Sequence, residues 1–349
     1  MSKGRILNAE EGMKALRVFT DYQNMQREVQ VSKTVAMVTP DSIPWAESIT
    51  EQLSFMNMEQ VNKVLALHPG KNLHKIWQSI ESLLNIFKLS YDDTQLLLDE
   101  FHQKAQEANF FSRRRQKEFE SVCLNINKCM YHLSCTSIAL YNISQEFRGL
   151  FAPDGYIDHY EASYTNSAEH HLLKAIRNAL SHKHFAPANY RVTKVGDVYQ
   201  TEFCVSCYEL LEYGDLRETD KKYVLKAGER IKVRPVIEQH YKNVVQFYGW
   251  VQEQLNQDIR FTDYLKCKLV PKQNGARIWW VLMMQQIEAK GLDPYQYLPN
   301  YFTDEELEEI DSLPHRSKQQ VDRMIEIYDV DKACNEEFRK KLYDFLGVG

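Results

Sequence analysis

The chain has 349 residues, 44% of them hydrophobic and 26% charged, with 13 Gly, 10 Pro and a formal net charge of −5. That length is ample for a buried core and suggests two or three structural units, and the scarcity of Gly and Pro argues against long disordered linkers. The acidic balance excludes the whole-chain basic field of a strong nonspecific DNA binder, so any nucleic-acid contact has to be local.

The N-terminal stretch carries charges among its apolar positions, unlike a secretory signal. The longest apolar runs, such as Ile278 to Met284, fall far short of a bilayer span. A cytoplasmic chain with no membrane contact is the expectation. The seven cysteines are an odd number in a long chain and do not read as a secreted disulfide framework. Cys204 and Cys207 form a single C-x-x-C in strand-like sequence; with no second pair to complete a zinc site, they read as small buried hydrophobes.

In chain order, an amphipathic helix is expected over about 9–29. An extended, loop-like stretch follows from Ser32 to Ile43, and helix resumes from about Pro44 to Ala66. The run from His68 to Asn72, with Pro and Gly adjacent, is a break. Two helices follow, Leu73 to Leu89 and Asp92 to Ala108. Ser112 is placed to cap a long helix whose apolar stripe, Phe119, Val122, Ile126, Met130, Leu133, Ser137 and Tyr141, runs on to about Phe147. Asn166 or Ser167 then caps a helix over Ala168 to His182, with Leu172, Leu173, Ile176 and Leu180 as its stripe. Pro187 disfavours helix at Ala186. The texture then changes to Val, Tyr, Thr and Phe. A hairpin turn at Gly196–Asp197 and a second extended piece through Lys222 to Pro235 make a small β excursion. Helix returns over Pro235 to Leu255, with Pro235 at its first position. The remaining residues read as a separate helical piece. Gly291 is a helix stop there, Thr303 to Glu306 form a capping box, and two short charged helices follow.

The most informative stretch is RNALSHKHF, Arg177 to Phe185. With 17 Arg, 18 Asn and 11 His in the chain, an Arg-Asn-x3-His match is expected about 0.03 times by chance. The looser Arg-then-His spacing is worthless alone; Arg234 and His240 also satisfy it. On a helix, residues five apart differ by about 140° around the axis and about 7.5 Å along it. Arg177 and His182 therefore cannot form a tight pair on one straight helix, whereas Asn178 and His182 share a face. A site using Arg177 and His182 is assembled more naturally from two copies of the helix or from a distorted helix end. The chemistry that suits this pair without metal is transfer to the 2′-hydroxyl of RNA. Histidine exchanges a proton near neutrality, and arginine offers a fixed positive fork to a phosphate gaining charge. Asn178 is placed to orient the imidazole or donate to a phosphate oxygen.

RNALSH resembles the Arg-polar-x3-His motif of the HEPN superfamily, in which the polar residue is often Asn. The resemblance rests on those six residues and covers about half the chain. It implies a dimerising four-helix bundle with the motif at the end of the third helix. Two Arg–His pairs then meet at the interface and cleave RNA without metal or cofactor, in toxin–antitoxin, abortive-infection or CRISPR-associated antiviral defence. By that match Arg177 and His182 are catalytic and Asn178 supports them. The matching helices are Leu73 to Ala108, Ser112 to Phe147, Ala168 to His182 and Pro235 to Leu255. Members paired with a nucleotidyltransferase antitoxin carry tyrosine two residues after the histidine, where this chain has His184. Other HEPN-like domains only bind partners, so a non-catalytic sensor or scaffold binding a protein or nucleotide is the alternative.

Outside the motif, Arg113, Arg114 and Arg115 form the one dense basic run, flanked by Phe110, Phe111 and Phe119. Local positive charge beside aromatic rings is what single-stranded RNA asks for, and a solvated helix start is the simpler reading. Lys183 and His184 adjoin the motif as further candidate RNA contacts. His170 and His171 point about 100° apart on a helix and lack a second ligand pair, so no metal site is expected; His171 lies on the face of His182. Trp279 and Trp280 read as core, or as an interface if exposed.

The expected architecture is thus mainly α. An N-terminal helical segment spans 1–70, a HEPN-like bundle spans 71–256 with a β insertion at about 188–233, and a helical C-terminal extension spans 257–349. The expected function is that of a homodimeric, metal-independent endoribonuclease, a hydrolase-class nuclease acting on single-stranded RNA. A protein partner or antitoxin is a further candidate.

Overall fold

A computed structural model describes residues 9–107, 109–182, 189–195, 198–213 and 216–348. The chain is mainly helical with one small antiparallel sheet. In order, the elements are α1 (Ala9–Val35), α2 (Ala46–Ser54), α3 (Met58–Val64), α4 (Gly70–Lys104), α5 (Gln116–Arg148), α6 (Tyr156–Tyr160), α7 (Ala168–His182), β1 (Asn189–Val195), β2 (Val198–Ser206), α8 (Cys207–Tyr213), α9 (Glu218–Lys226), β3 (Arg230–Lys232), α10 (Val233–Leu255), α11 (Ile259–Ala289), α12 (Asp304–Asp311), α13 (Lys318–Tyr328) and α14 (Glu336–Phe345). Among the described residues no helix is long and apolar enough to cross a membrane.

The chain divides into two compact units, residues 72–258 and residues 1–71 with 259–349. The first and last segments, read from sequence as separate pieces, therefore belong to one unit. α11 packs on α2 and α3, and Trp45, Ile49, Leu53, Val61, Tyr264 and Cys267 share one core. A second core in this unit joins Trp280 and Met284 of α11 to Ile310, Val321, Met324, Phe338 and Leu342.

In the unit 72–258, α7 packs against α5, α9 and α10. Its stripe of Leu172, Leu173, Ala175, Ile176 and Ala179 is buried, which is the helical period turned into packing. The sheet has the order β1-β2-β3, with Tyr190 opposite Phe203 and Val205 opposite Ile231. An aromatic cluster fixes it to the helices. Phe101 meets Phe110, Phe119, Tyr190 and Phe203 with centroid separations of 5.9–6.5 Å, the spacing of edge-to-face and tilted pairs.

Several local expectations are corrected. α1 continues through Val35 where an extended stretch was expected, because Val31 and Thr34 are buried on the side that packs against α3. The two helices expected around Ser90 are one. Tyr91 stacks on Tyr241 of α10 at 3.9 Å, and the Thr94 hydroxyl donates to the Ser90 carbonyl. Ser112 is extended but makes no capping bond; a tight turn over Arg113–Arg115 precedes α5. Lys222 to Lys226, expected extended, are helical in α9, where Asp220 and Val224, four apart, face inward. Pro235 is the third residue of α10, still within the first turn where its missing N–H costs nothing. The Ser167 cap of α7, the positive φ of Gly291 and the Thr303–Glu306 capping box are all present. The Gly196–Asp197 turn lies outside the described residues.

Candidate functional site

α7 runs as a regular helix through His182. Arg177 and Asn178 occupy its last turns and are half-buried. Among the described residues, neither a carboxylate nor a hydrogen-bond acceptor engages the Arg177 guanidinium. The side chain of His182, and Lys183 and His184 altogether, lie outside the described residues. Because the helix stays regular to His182, positions 177 and 182 remain about 140° apart around the axis.

One to two turns before Asn178, on the same face, a buried polar network ties α7 to α9. His171 Nδ1 lies 2.5 Å from Asp220 Oδ1, and its Nε2 lies 2.9 Å from the Thr165 carbonyl oxygen. Both ring nitrogens thus face oxygen atoms. Lys174 Nζ lies 3.0 Å from Asp220 Oδ2, and Tyr223 stacks on His171 at 4.4 Å. Burial pushes the Asp220 carboxyl up, but the hydrogen bonds from His171 and Lys174 outweigh it and hold the group below its ordinary value. Of these, only His171 was singled out in the sequence, as lying on the face of His182; Asp220 falls in the stretch read as a β excursion.

His170, the neighbour of His171, turns into the core. Its ring lies 5.6 Å from that of His240 of α10, whose Nε2 is 2.6 Å from Ser137 Oγ. Burial lowers the His240 pKa to about 3 and holds His170 well below its ordinary value. Ser137 and His240 are both buried, and among the described residues no acid reaches His240 Nδ1; they form a core contact rather than a nucleophile. The second Arg–His match falls apart accordingly. Arg234 points away to Gln95 and Asp99, at 2.6 and 2.7 Å.

The basic run splits. Arg113 and Arg114 are exposed, but Arg115 is held by Glu118 at 2.7 Å and Glu107 at 2.6 Å and lies over the Phe110 ring. Those carboxylates occupy the fork that a phosphate would need. Phe110 is fully buried, whereas Phe111 is exposed and stacks at 4.9 Å on the half-buried Tyr190, with Phe119 also half-buried beside them. Trp280 is core against Tyr328 and Phe338, whereas Trp279, 100° around the helix, is exposed.

One set of metal-type ligands converges among the described residues: His68, Asp263 and Cys267, all buried. Their bonds are already made. The Trp45 and Ala46 N–H groups donate to Asp263 at 2.6 and 2.9 Å, capping α2. The Gly70 N–H donates to His68 Nδ1, so His68 Nε2 carries the ring proton and donates to Asp263 Oδ2. A metal on Nε2 would have to displace that proton and break the cap. Burial likewise raises the thiol pKa values of Cys204 and Cys207, as expected of packing cysteines; Cys207 opens α8 rather than sitting in a strand.

No family model matches this chain, and neither the curated proteins nor the solved structures hold a match to it.

Proposed function

We propose that the protein is a metal-independent endoribonuclease of HEPN type that cleaves single-stranded RNA as a homodimer, in a defence or toxin setting. The observation that carries this reading is Arg177. Its half-buried guanidinium has no acidic partner among the described residues, which leaves a charged fork available to an anion such as a phosphate. It stands five residues before His182, in a pattern that chance does not supply.

In this reading two copies of α7 each bring an Arg177 and a His182 to one RNA phosphate. One His182 takes the proton of the 2′-hydroxyl, and the 2′ oxygen bonds to the adjacent phosphorus. The bond to the 5′ oxygen breaks, and that oxygen leaves with a proton from the partner subunit's His182. The products are a 2′,3′-cyclic phosphate and a 5′-hydroxyl. Arg177 stabilises the charge growing on the phosphate oxygens. Asn178 supports the histidine on its own face, and the buried His171–Asp220–Lys174 network holds that face in register. Arg113 and Arg114 are available to hold RNA; Arg115 is committed to its two glutamates.

The test compares wild type with His182→Ala and Arg177→Ala on labelled single-stranded RNA in EDTA, with fold and oligomeric state checked. Wild type is expected to leave 2′,3′-cyclic phosphate ends, and each substitution to cost about 10²–10³ in kcat. Activity that EDTA abolishes, or that survives both substitutions, overturns the reading. RNA binding without cleavage would favour the scaffold.

A further inference from the structure

α1 presents two faces. Val31 and Thr34 are buried on the side toward α3, and the Gln60 side chain donates to the Arg27 carbonyl from α3. From residue 17 to residue 29, by contrast, every residue is exposed. Within that stretch Val18, Tyr22, Met25 and Val29 are 63, 56, 54 and 42% exposed. At 100° per residue these four fall within an arc of about 60°, about 170° away from the buried face. Their spacing of four, three and four is the a/d repeat of a helix pair, with Tyr22 and Val29 at a and Val18 and Met25 at d. A helical stretch with so little covering over residues 17–29 is marginal in water by itself, and this stripe is what a second helix would cover.

The charges beside the stripe choose the partner. In this register Asp21 and Glu28 occupy g positions and Lys33 an e position. In a parallel pair of identical helices, g of one chain faces e of the next heptad in the other. Glu28 then meets Lys33 of the partner subunit, twice by symmetry. An antiparallel pair would set Asp21 against Glu28 of the partner subunit, acid against acid. Glu28 also holds Lys63 of its own chain at 2.5 Å but uses one carboxylate oxygen to do so. We infer that the exposed face of α1 is a self-association surface, pairing in parallel with α1 of a second copy of this chain. Four a/d positions per chain make a short seam, in the class below about 1,200 Å² of buried surface, so the pairing is weak and concentration-dependent. This inference does not rest on ribonuclease activity.

Sedimentation equilibrium of the full chain from about 1 μM to about 1 mM covers the range in which so small an interface titrates. Wild type is expected to self-associate. Tyr22→Glu with Met25→Glu, exposed positions that leave the fold intact by circular dichroism, is expected to weaken association at least about tenfold. Lys33→Glu is expected to weaken it about threefold, and Glu28→Lys added to Lys33→Glu to restore it. Mild oxidation of Met25→Cys is expected to give a covalent dimer through that position, identified by peptide mapping and absent from wild type. A wild type that is monomeric throughout overturns the inference, as does association unchanged by the two glutamates. Failure of the Met25→Cys crosslink overturns the parallel pairing even if α7 forms a dimer of its own.

Discussion

Two imidazoles, His170 and His240, sit beside each other in the core of the unit 72–258, 3% and 0% exposed. Burial holds both below the ordinary histidine value, His240 at about 3. Tyr164 and Ser137 pack against them, and Lys174 and Asp220 are the nearest charged groups that bear on His170. In the unfolded chain each histidine binds a proton below about pH 6.5, whereas in the folded chain it does not. The unfolded state therefore holds more protons throughout that window, and stability, complete above pH 6.5, is lost as the pH falls. The slope is about 1.4 kcal/mol per pH unit for each histidine. Urea midpoints are expected to fall steeply between pH 6.5 and pH 4.5, and His240→Gln to remove about one proton from that slope. A flat profile over this interval in wild type would show that the two rings are not held neutral.

At the scale of elements, the close approach of the start of α4 to α11, within the unit of residues 1–71 and 259–349, turns on one glycine. A Cβ built on Gly70 would lie 2.1 Å from the carbonyl oxygen of Arg260 and 2.9 Å from Cβ of Tyr264. Neither backbone can give way without disturbing the Gly70 N–H bond to His68 and, through Asp263, the cap of α2. Gly70→Ala is expected to destabilise by about 1–3 kcal/mol or more, read as a lower melting temperature; an unchanged melting temperature would mean that the crossing relaxes freely. The Pro-Gly pair was legible in the sequence as punctuation, but its partner lies 190 residues away and was not. The same division recurs elsewhere. Helices with a stripe and a cap, such as α7, α12 and the body of α5, could be read from local pattern. Places where a distant surface decides could not. The polar run at Ser90 stays helical because Tyr91 finds Tyr241, and Lys222 to Lys226 coil because Asp220 and Val224 face α7. Of the candidate site, Arg177 and Asn178 were legible by spacing, and so was the place of His171 on the face of His182. That Arg115 is spent on Glu107 and Glu118 was not, since a charge run does not announce which of its members is paired.

At the scale of the whole molecule, the question is how many copies make one site. The chain is acidic overall, so the proposed function requires RNA to be held by local cations rather than by a general field. Under the proposed function, the helix geometry that separates positions 177 and 182 by about 140° calls for two copies of α7 to complete the chemistry. If both histidines of a dimer act on one phosphate, one as base and one as acid, a mixed dimer of wild type and His182→Ala lacks one proton transfer. After the two proteins have been mixed equally and allowed to exchange subunits, about one quarter of the dimers are wild type in both copies, by random pairing of identical interfaces. The composite site predicts RNA cleavage at about one quarter of that given by the same total of wild type; a site complete within each copy predicts about one half. Exchange is verified by copurification of differently tagged chains, so that a value near one half reflects independent sites rather than unmixed dimers. A value near one half with exchange complete would place the whole site in one copy and require the end of α7 to distort when RNA binds.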